Sequence, residues 1–150
     1  MIKLLFLILT IFRFNSCNSH TDKIDKIQSL DLVVKLEMNL SAFGVESDNF
    51  PTIDVYIDFA KDSSSCHKSY YNPKLKSSTY SLTSFELKEI KELFKTTDFE
   101  TFKKEYTTNL SDQPTSTTKI YTTNNIYLIK DYGLKGDYPL EKLYGIVYKY

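Results

Sequence analysis

The chain has 150 residues, enough for one folded domain with its own hydrophobic core and too few for two comfortable ones. Its 19 basic and 19 acidic residues balance and are scattered, which argues against nucleic acid as a partner because binding to phosphates needs a concentrated cationic surface. Tyrosine and phenylalanine are frequent while glycine is scarce, a composition typical of a folded, strand-containing protein rather than a disordered one.

The N-terminal residues have the pattern of an export signal. Lys3 precedes the apolar run LLFLILTIF at 4–12, in which only Thr10 is not strongly apolar. The run is about half of the roughly 20 residues that a membrane-spanning helix needs. It has the length of the hydrophobic region of a secretory signal, and we therefore predict export.

Cys17 is the first candidate functional residue. Asn15, Ser16 and Cys17 resemble the lipobox of bacterial lipoproteins in its loosened form, although Phe14 stands where the stricter pattern has leucine. The resemblance implies cleavage before Cys17 and lipidation of its sulfur and new amino group, and several acyl chains anchor a protein stably. We predict a lipid-anchored location in the cell envelope, with the outer membrane favoured, and the following division: a lipoprotein signal peptide at 1–16, a lipidated tether at 17–29 and a single domain at 30–150.

Three alternatives to this lipoprotein hypothesis stay open. The signal peptide is cut elsewhere nearby, or the cysteine has no particular role. Two Asn-x-Ser sequons also leave a eukaryotic secreted protein as a minor option, although such triplets arise easily by chance in this composition.

The domain begins with two strand patterns. Apolar residues alternate with mostly polar ones over 31–40, and the residues predicted to face the core are Leu32, Val34, Leu36, Met38 and Leu40. The same alternation over 52–60 predicts that Ile53, Val55, Ile57 and Phe59 are buried. Two such strands in succession indicate an antiparallel sheet with one face in water.

The next segments are less regular. The connection 41–51 is longer than a usual hairpin loop, and long loops more often carry function. Pro73 predicts two short strands, near 66–71 and near 76–81, in place of one long strand.

Helix signals begin at residue 83. Thr83 and Glu86 have the spacing of a capping box, and the segment 83–95 carries an apolar stripe made of Leu87, Ile90, Leu93 and Phe94. Thr97 and Glu100 repeat the capping pattern, which predicts a second short helix or turn within 96–108.

The last third of the chain predicts a loop, a hairpin and a helix. The loop covers 109–117, and the hairpin covers 119–130 with Asn124-Asn125 as its turn, which places Ile120 opposite Ile129 and Tyr121 opposite Leu128. The segment 138–150 predicts a closing helix with Pro139 at its first position. The fold class is therefore α+β: a mostly antiparallel sheet with two or three helices packed on one face, in a single domain.

Short motifs in the C-terminal half match a known pattern. A DF pair closes the first helix, a tyrosine is followed by an aspartate in a polar loop, and a DY pair precedes the final helix. Together with the strand pair and the hairpin, these motifs resemble a family of small bacterial domains of unknown function, often found in lipoproteins, over about residues 30–150. The matching positions are Asp98, Phe99, Tyr106, Asp112, Asp131 and Tyr132. Since that family has no settled activity, the resemblance implies fold and location rather than function.

The chain departs from that family at one loop. The family carries a cysteine pair around Phe-Gly, in the form C-F-G-x-C-P, in the loop after the first strand. Here Phe43 and Gly44 are present and Pro51 is displaced, but Ala42 stands at the first cysteine position and no second cysteine follows. No role of that pair is therefore carried over to this chain.

Catalytic patterns are sparse. Cys66 and His67 are neighbours on a predicted strand, where adjacent side chains point to opposite faces, so we expect a lone thiol and a surface imidazole. Asp98 and Asp112 are expected to cap turns, and Asp54 and Asp58 to solvate the sheet. We predict no metal and no cofactor.

Two functions are consistent with these sequence patterns. The favoured one is a lipid-anchored envelope protein with a non-catalytic binding or interaction domain, whose partners are the membrane, through lipid on Cys17, and an envelope protein, peptide or glycan. Five tyrosines could offer their ring faces to such a ligand: Tyr56, Tyr70, Tyr71, Tyr80 and Tyr121. Packing in the sheet is the favoured explanation for them, because tyrosine is an ordinary strand residue. The alternative is a small envelope enzyme or enzyme inhibitor that uses the loops 41–51 and 109–117.

Overall fold

A computed structural model describes residues 31–150. The predicted signal peptide, Cys17 and the tether up to residue 29 lie outside the described residues. No helix in the described part of the chain is both long and apolar enough to span a membrane.

The domain is built on one seven-stranded sheet with the strand order β4-β3-β2-β1-β6-β7-β5. All neighbouring strands are antiparallel except β5 and β7, which are parallel. The α+β class and the mostly antiparallel sheet are confirmed, and the sheet dominates the fold. In chain order the elements are β1 (Val33–Ser41), β2 (Pro51–Asp58), β3 (Ser63–Tyr70), β4 (Ser78–Tyr80), α1 (Ser84–Lys95), a 3₁₀ helix (Phe99–Thr101), β5 (Glu105–Tyr106), β6 (Thr115–Thr122), β7 (Ile126–Tyr132) and α2 (Leu140–Val147).

The alternation in β1 and β2 is confirmed for most positions. Leu36, Leu40 and Ile53 are fully buried, and the other residues predicted to be buried over 52–60 are buried as well. The prediction is wrong for Leu32 and Val34, which are exposed. The register between β1 and β6 shifts between Val33 and Lys35, so that Val33 packs against the core in place of Val34.

Both long helices follow their predicted apolar patterns, although α2 begins at Leu140 and Pro139 is its N-cap residue rather than its first helical residue. Thr83 Oγ1 accepts the N–H of Glu86 at 3.2 Å and Glu86 Oε2 accepts the N–H of Thr83 at 2.7 Å, which confirms the capping box. The predicted apolar stripe of α1 is buried, and α2 buries Leu140, Leu143, Tyr144 and Val147. Most of these side chains share one core cluster with the strands.

The segment 96–108 forms less helix than its pattern suggests. Asp98, and not Thr97, accepts the N–H of Glu100 at 3.1 Å, and this cap begins only a single 3₁₀ turn. The Phe99 ring then packs on Tyr127 with ring centroids 5.2 Å apart, and the chain continues as β5 at the sheet edge. The predicted short helix or turn is therefore a single 3₁₀ turn, and the residues after it join the edge of the sheet.

The hairpin is correct in position but its predicted register is wrong by two residues. Tyr121 lies opposite Ile126 rather than Leu128, so the turn is centred on Thr123 and Asn124. The carboxylate of Asp31 accepts hydrogen bonds from the Asn124 N–H and the Thr123 hydroxyl, both at 3.1 Å. Asp31 is distant in sequence, and its bonds stabilise the turn one residue before the Asn124-Asn125 pair that the local sequence predicts.

Candidate binding face

One face of the sheet remains accessible. Side chains alternate along each strand, so the residues between the buried ones point to the opposite side. Strand pairing aligns them in rows across β2, β1, β6 and β7, and we call this surface the open face: Lys35, Glu37, Asn39, Asp54, Tyr56, Thr117, Lys119, Tyr121, Ile126 and Leu128. His67 of β3 continues the row beside Asp54.

A charged and aromatic network holds the centre of the open face. Glu37 accepts hydrogen bonds from Lys35 Nζ at 2.8 Å and from the Tyr121 hydroxyl at 2.7 Å. Lys35 Nζ also lies 3.7 Å from the centre of the Tyr121 ring, which is a cation–π contact. The ammonium of Lys35, followed by the hydroxyl of Tyr121, lowers the pKa of Glu37, and the Glu37 carboxylate in turn raises the pKa of Lys35.

Next to this network lies an open depression of about 490 Å³. Asn39 Nδ2 donates to Asp54 Oδ1 at 2.7 Å on its floor, and the Tyr56 side chain at its wall is 42% exposed. His67 and Lys119 also line it. The volume falls within the range of about 300–1,000 Å³ seen for ligand sites. Hydrogen-bonding groups beside exposed rings suit a peptide or a glycan.

Cys66 and His67 do not converge on this surface. Cys66 is fully buried on the core side, whereas His67 is exposed on the open face, which confirms that they point apart. Burial raises the pKa of the Cys66 thiol and keeps it unreactive. Among residues 31–150, no three His, Cys, Asp or Glu side chains are grouped so as to hold a metal ion.

The residues carried over from the family resemblance lie mainly at one end of the sheet. Asp131 is fully buried, and its carboxylate accepts the N–H groups of Lys135 at 2.7 Å and Gly136 at 2.6 Å. Tyr106 is buried beside it, since β5 and β7 pair these two residues. Tyr132 accepts the N–H of Gln113 at 3.3 Å. In this arrangement the side chains hold loops in place.

Four further predicted residues lie on loops and turns. Asp98 caps the 3₁₀ helix, as expected, and Asp112 is exposed with a positive φ of 59°. Phe43 is 91% exposed beside Gly44, whose φ of 89° is one that residues with a side chain rarely adopt. None of the four contributes to the open face.

The two loops 41–51 and 109–117 emerge side by side. Ser41, the last residue of β1, pairs with Thr115, the first residue of β6. The loops therefore leave the sheet at the same end. The two loops can therefore contribute to one shared surface, as the alternative function requires.

Three tyrosine hydroxyls at the packed side of the sheet make stability dependent on alkaline pH. Tyr148 shares a 2.8 Å hydrogen bond with Ser116, and Tyr80 donates to the Val147 carbonyl at 2.7 Å. Burial raises the pKa of Tyr80 to about 12 and also raises the pKa of Tyr144 and of Tyr148. The folded protein therefore favours the neutral, protonated form of these three hydroxyls.

We expect the free energy of unfolding to fall as pH rises from about 10 to about 12, because the unfolded tyrosines ionise near pH 10 while the folded ones stay protonated. The contribution is fully present below pH 10, and urea unfolding at about pH 9 and about pH 11.5 measures its loss. Tyr148→Phe should flatten this dependence, whereas Tyr71→Phe, at an exposed position, should leave it unchanged. Equal stability of the natural chain at both pH values would contradict the prediction.

Sequence reasoning did not identify Lys35, Glu37 and Lys119 as site residues. Their alternation with buried residues indicates a solvent-exposed face of the strand, but most such faces contact only water and bind no ligand. The proximity of Lys119 to Lys35 and Glu37 depends on the pairing of β1 with β6, which is distant in sequence and which the sequence does not state. The half-exposed Tyr56 and Tyr121 were the available signal.

Comparison with known proteins adds a family match. The model of a family described as a domain of unknown function (DUF6438) matches residues 47–149. This match confirms the resemblance to a small domain family of unknown function and begins after Phe43 and Gly44. No curated protein and no solved structure matches the chain significantly.

Proposed function

The chain belongs to the DUF6438 family, which is described as a domain of unknown function, and from its N-terminal sequence and its open face we propose that it is a lipid-anchored cell-envelope protein whose domain binds a partner through the open face. The partner is an envelope protein, peptide or glycan, and the binding is non-catalytic. The observation that carries the proposal is the internally paired Lys35–Glu37–Tyr121 network beside an accessible depression. Groups held in place before binding lose less entropy on binding.

The two helices are proposed to cover the opposite side of the sheet. Leu87 and Ile90 of α1 and Leu143 of α2 belong to the same core cluster as the buried side chains of the strands. Helices packed on that side leave the open face accessible to a ligand. The sheet then acts as a rigid support for the network.

The entry point of the chain supports presentation from a membrane. Asp31 binds the turn between β6 and β7, so the domain begins at the end of the sheet opposite the loops 41–51 and 109–117. A lipid on Cys17 would attach the domain at this entry end. The loops and the open face then remain accessible to other envelope components.

Lipidation is tested by labelling cells with a clickable fatty acid. We expect label on the natural chain and complete loss of label in Cys17→Ala, because the lipid is proposed to sit on that sulfur. Cys66→Ala is the matched control and should keep its label, since Cys66 is buried in the domain. An unlabelled natural chain would remove the lipoprotein proposal.

Binding at the open face is tested by photo-crosslinking in the living cell. A photoreactive residue at Tyr56 should give a discrete crosslinked product, whereas one at Glu92, exposed on α1, should give none. Lys119→Glu should reduce the Tyr56 product, because it reverses a charge at the edge of the depression. Equal products at both positions would argue against a specific binding face.

A second candidate function is enzyme inhibition by the loops 41–51 and 109–117. Their shared end of the sheet favours it, as does the exposure of Phe43 (91%) and Leu110 (60%), since exposed apolar loop residues suit insertion into a cleft. Envelope hydrolase activity should then rise in cells carrying Phe43→Ala with Leu110→Ala. Unchanged activity together with an intact Tyr56 crosslink would favour the open face instead.

A further inference from the structure

The sheet edge that borders the open face points to the chemistry of the partner. We propose that β7 binds an extended, acidic peptide segment of a partner protein, which adds to the sheet as a strand along Ile126–Leu128. The proposal deepens the proposed function and rests on it, because it names the partner of the same binding domain. Strand addition is a common mode of peptide recognition.

The backbone of β7 presents unpaired groups on this side. The Thr122 N–H donates to the Asn125 carbonyl at 2.9 Å, so every second residue from Asn125 onward bonds to β6. The N–H and C=O groups of Ile126 and Leu128 therefore point away from β6. Lys130, which is in the same phase, donates its N–H to the Lys104 carbonyl at 3.0 Å on that outer side.

Pairing on the outer side ends early. β5 pairs only with Lys130 and Asp131, and within residues 31–150 no strand pairs with Ile126–Leu128 on that side. Natural proteins usually cover or charge such an edge because it is a template for another strand. On the free stretch itself the exposed side chains are apolar, since Ile126 is 60% exposed and Leu128 is 53% exposed, and the charges lie around it.

A small cavity lies beside the free edge. It measures about 220 Å³ and lies between β7 and the segment 99–104, with Phe99, Phe102 and Ile129 in its wall. The volume is below the range of about 300–1,000 Å³ for small-molecule sites. It suits a single apolar side chain of an added strand, whose alternate residues point towards the wall and towards solvent.

The charges around the edge favour an acidic peptide. Lys103 and Lys104 line the cavity, Lys119 pairs with Leu128, and Lys130 follows on β7. The nearby carboxylates are Glu100 and Asp31, which accept the Tyr127 hydroxyl at 3.0 Å and 3.5 Å, Glu105, which pairs with Lys130, and Glu37, which pairs with Lys119. The positive surplus lies at the cavity itself, whose lining has two lysines, Lys103 and Lys104, against one carboxylate, Glu100, and this rim attracts carboxylates.

The same charges disfavour a second copy of this chain at the edge. Two β7 strands paired side by side would bring the lysines of both copies together, and like charges across a strand pair are destabilising. The free stretch from Ile126 to Leu128 is also short for a dimer, because stable interfaces bury about 1,200 Å² or more.

The test uses the full-length protein and a labelled, end-blocked probe peptide of sequence Glu-Val-Glu-Val-Glu. Fluorescence anisotropy should show that this peptide binds at least about tenfold more tightly than Lys-Val-Lys-Val-Lys. Hydrogen exchange adds a direct readout at the edge. The Leu128 amide should exchange rapidly in the free protein and become protected when the acidic peptide is added.

Variants separate the edge from the rest of the surface. Leu128→Pro removes an outward N–H without removing a bond to β6, and should weaken binding of the acidic peptide at least about tenfold. Leu128→Thr keeps the N–H and should weaken binding less than about threefold. Lys103→Glu with Lys104→Glu, at exposed positions, should reverse the preference between the two peptides and provides a test that does not depend on the proline variant folding.

Three outcomes would overturn the proposal. They are a Leu128 amide already protected in the free protein, a concentration-dependent dimer that Leu128→Pro dissociates, and failure of the acidic peptide to bind above the basic one. If the photoreactive residue at Tyr56 gave no crosslinked product in the cell, binding at the open face would be refuted together with strand addition at β7. An intact Tyr56 crosslink with no peptide binding would refute only the strand addition at β7.

Discussion

Replacement of Asp131 by alanine is expected to lower the free energy of unfolding by about 3 kcal/mol. The Asp131 carboxylate is fully buried and accepts two backbone N–H groups, from Lys135 and Gly136. Without it these donors lose their partner, and the Gly136 N–H is buried. The backbone at Gly136 is also closely packed by Leu140, because a Cβ there would lie 2.8 Å from Leu140 Cδ1 and 2.9 Å from Leu140 Cβ.

Urea unfolding measures this loss, and two variants serve as controls. Asp131→Asn keeps one carbonyl acceptor and should cost less than the alanine variant. Asp112→Ala, at an exposed position among the same motif residues, should change stability by less than about 0.5 kcal/mol. If Asp131→Ala retained full stability while ligand binding was lost, Asp131 would have a role in function in place of its role in holding the loop.

Truncation of Leu36 to alanine is expected to cost about 3 kcal/mol, because Leu36 is fully buried in the central strand β1. Removal of its methyl groups leaves a cavity in the core cluster that the strands share with the helices. The surrounding side chains fill such a cavity only in part. Thermal or urea unfolding of the purified variant measures the change.

Val34→Ala is the matched control on the same strand. The alternation along β1 assigns both residues to the core, but Val34 is 38% exposed where the register with β6 shifts. We expect its truncation to cost less than about 0.5 kcal/mol. Equal losses for the two variants would mean that the shift between Val33 and Lys35 is absent in solution.

Patterns within a single element predicted much of this fold. The capping box of Thr83 and Glu86 placed the start of α1, and the apolar stripe of that helix identified its buried side. Alternation in β2 identified its core residues. These predictions succeeded because a helix cap and a strand period depend on residues a few positions apart.

Contacts between distant residues decided what the patterns missed. Asp31 binds Asn124 across 93 positions of sequence and stabilises the turn that sets the register of β6 and β7. The 3₁₀ turn at Phe99 gives way to β5 because the edge of β7 offers backbone partners to Lys104 and Tyr106. Local propensity does not include such partners.

The candidate site divides in the same way. The sequence includes Tyr56 and Tyr121 among five tyrosines whose rings could face a ligand, with packing in the sheet favoured for all five, and it does not identify Lys35 and Glu37. Their network exists because β1 pairs with β6, which places Lys35 opposite Tyr121. The depression beside it depends on β1 lying between β2 and β6, which places Glu37 between Tyr56 and Lys119. Strand order therefore produced the open face.

The sequence by itself determined the α+β class, the core residues of most elements, the family and the hypothesis of a lipid anchor at Cys17. Only the tertiary structure decided the strand order, the hairpin register, the burial of Asp131 and the free edge at Ile126–Leu128. The physical reason is range. Caps and periodicity come from neighbours along the chain, whereas strand pairing and burial depend on partners that folding brings together.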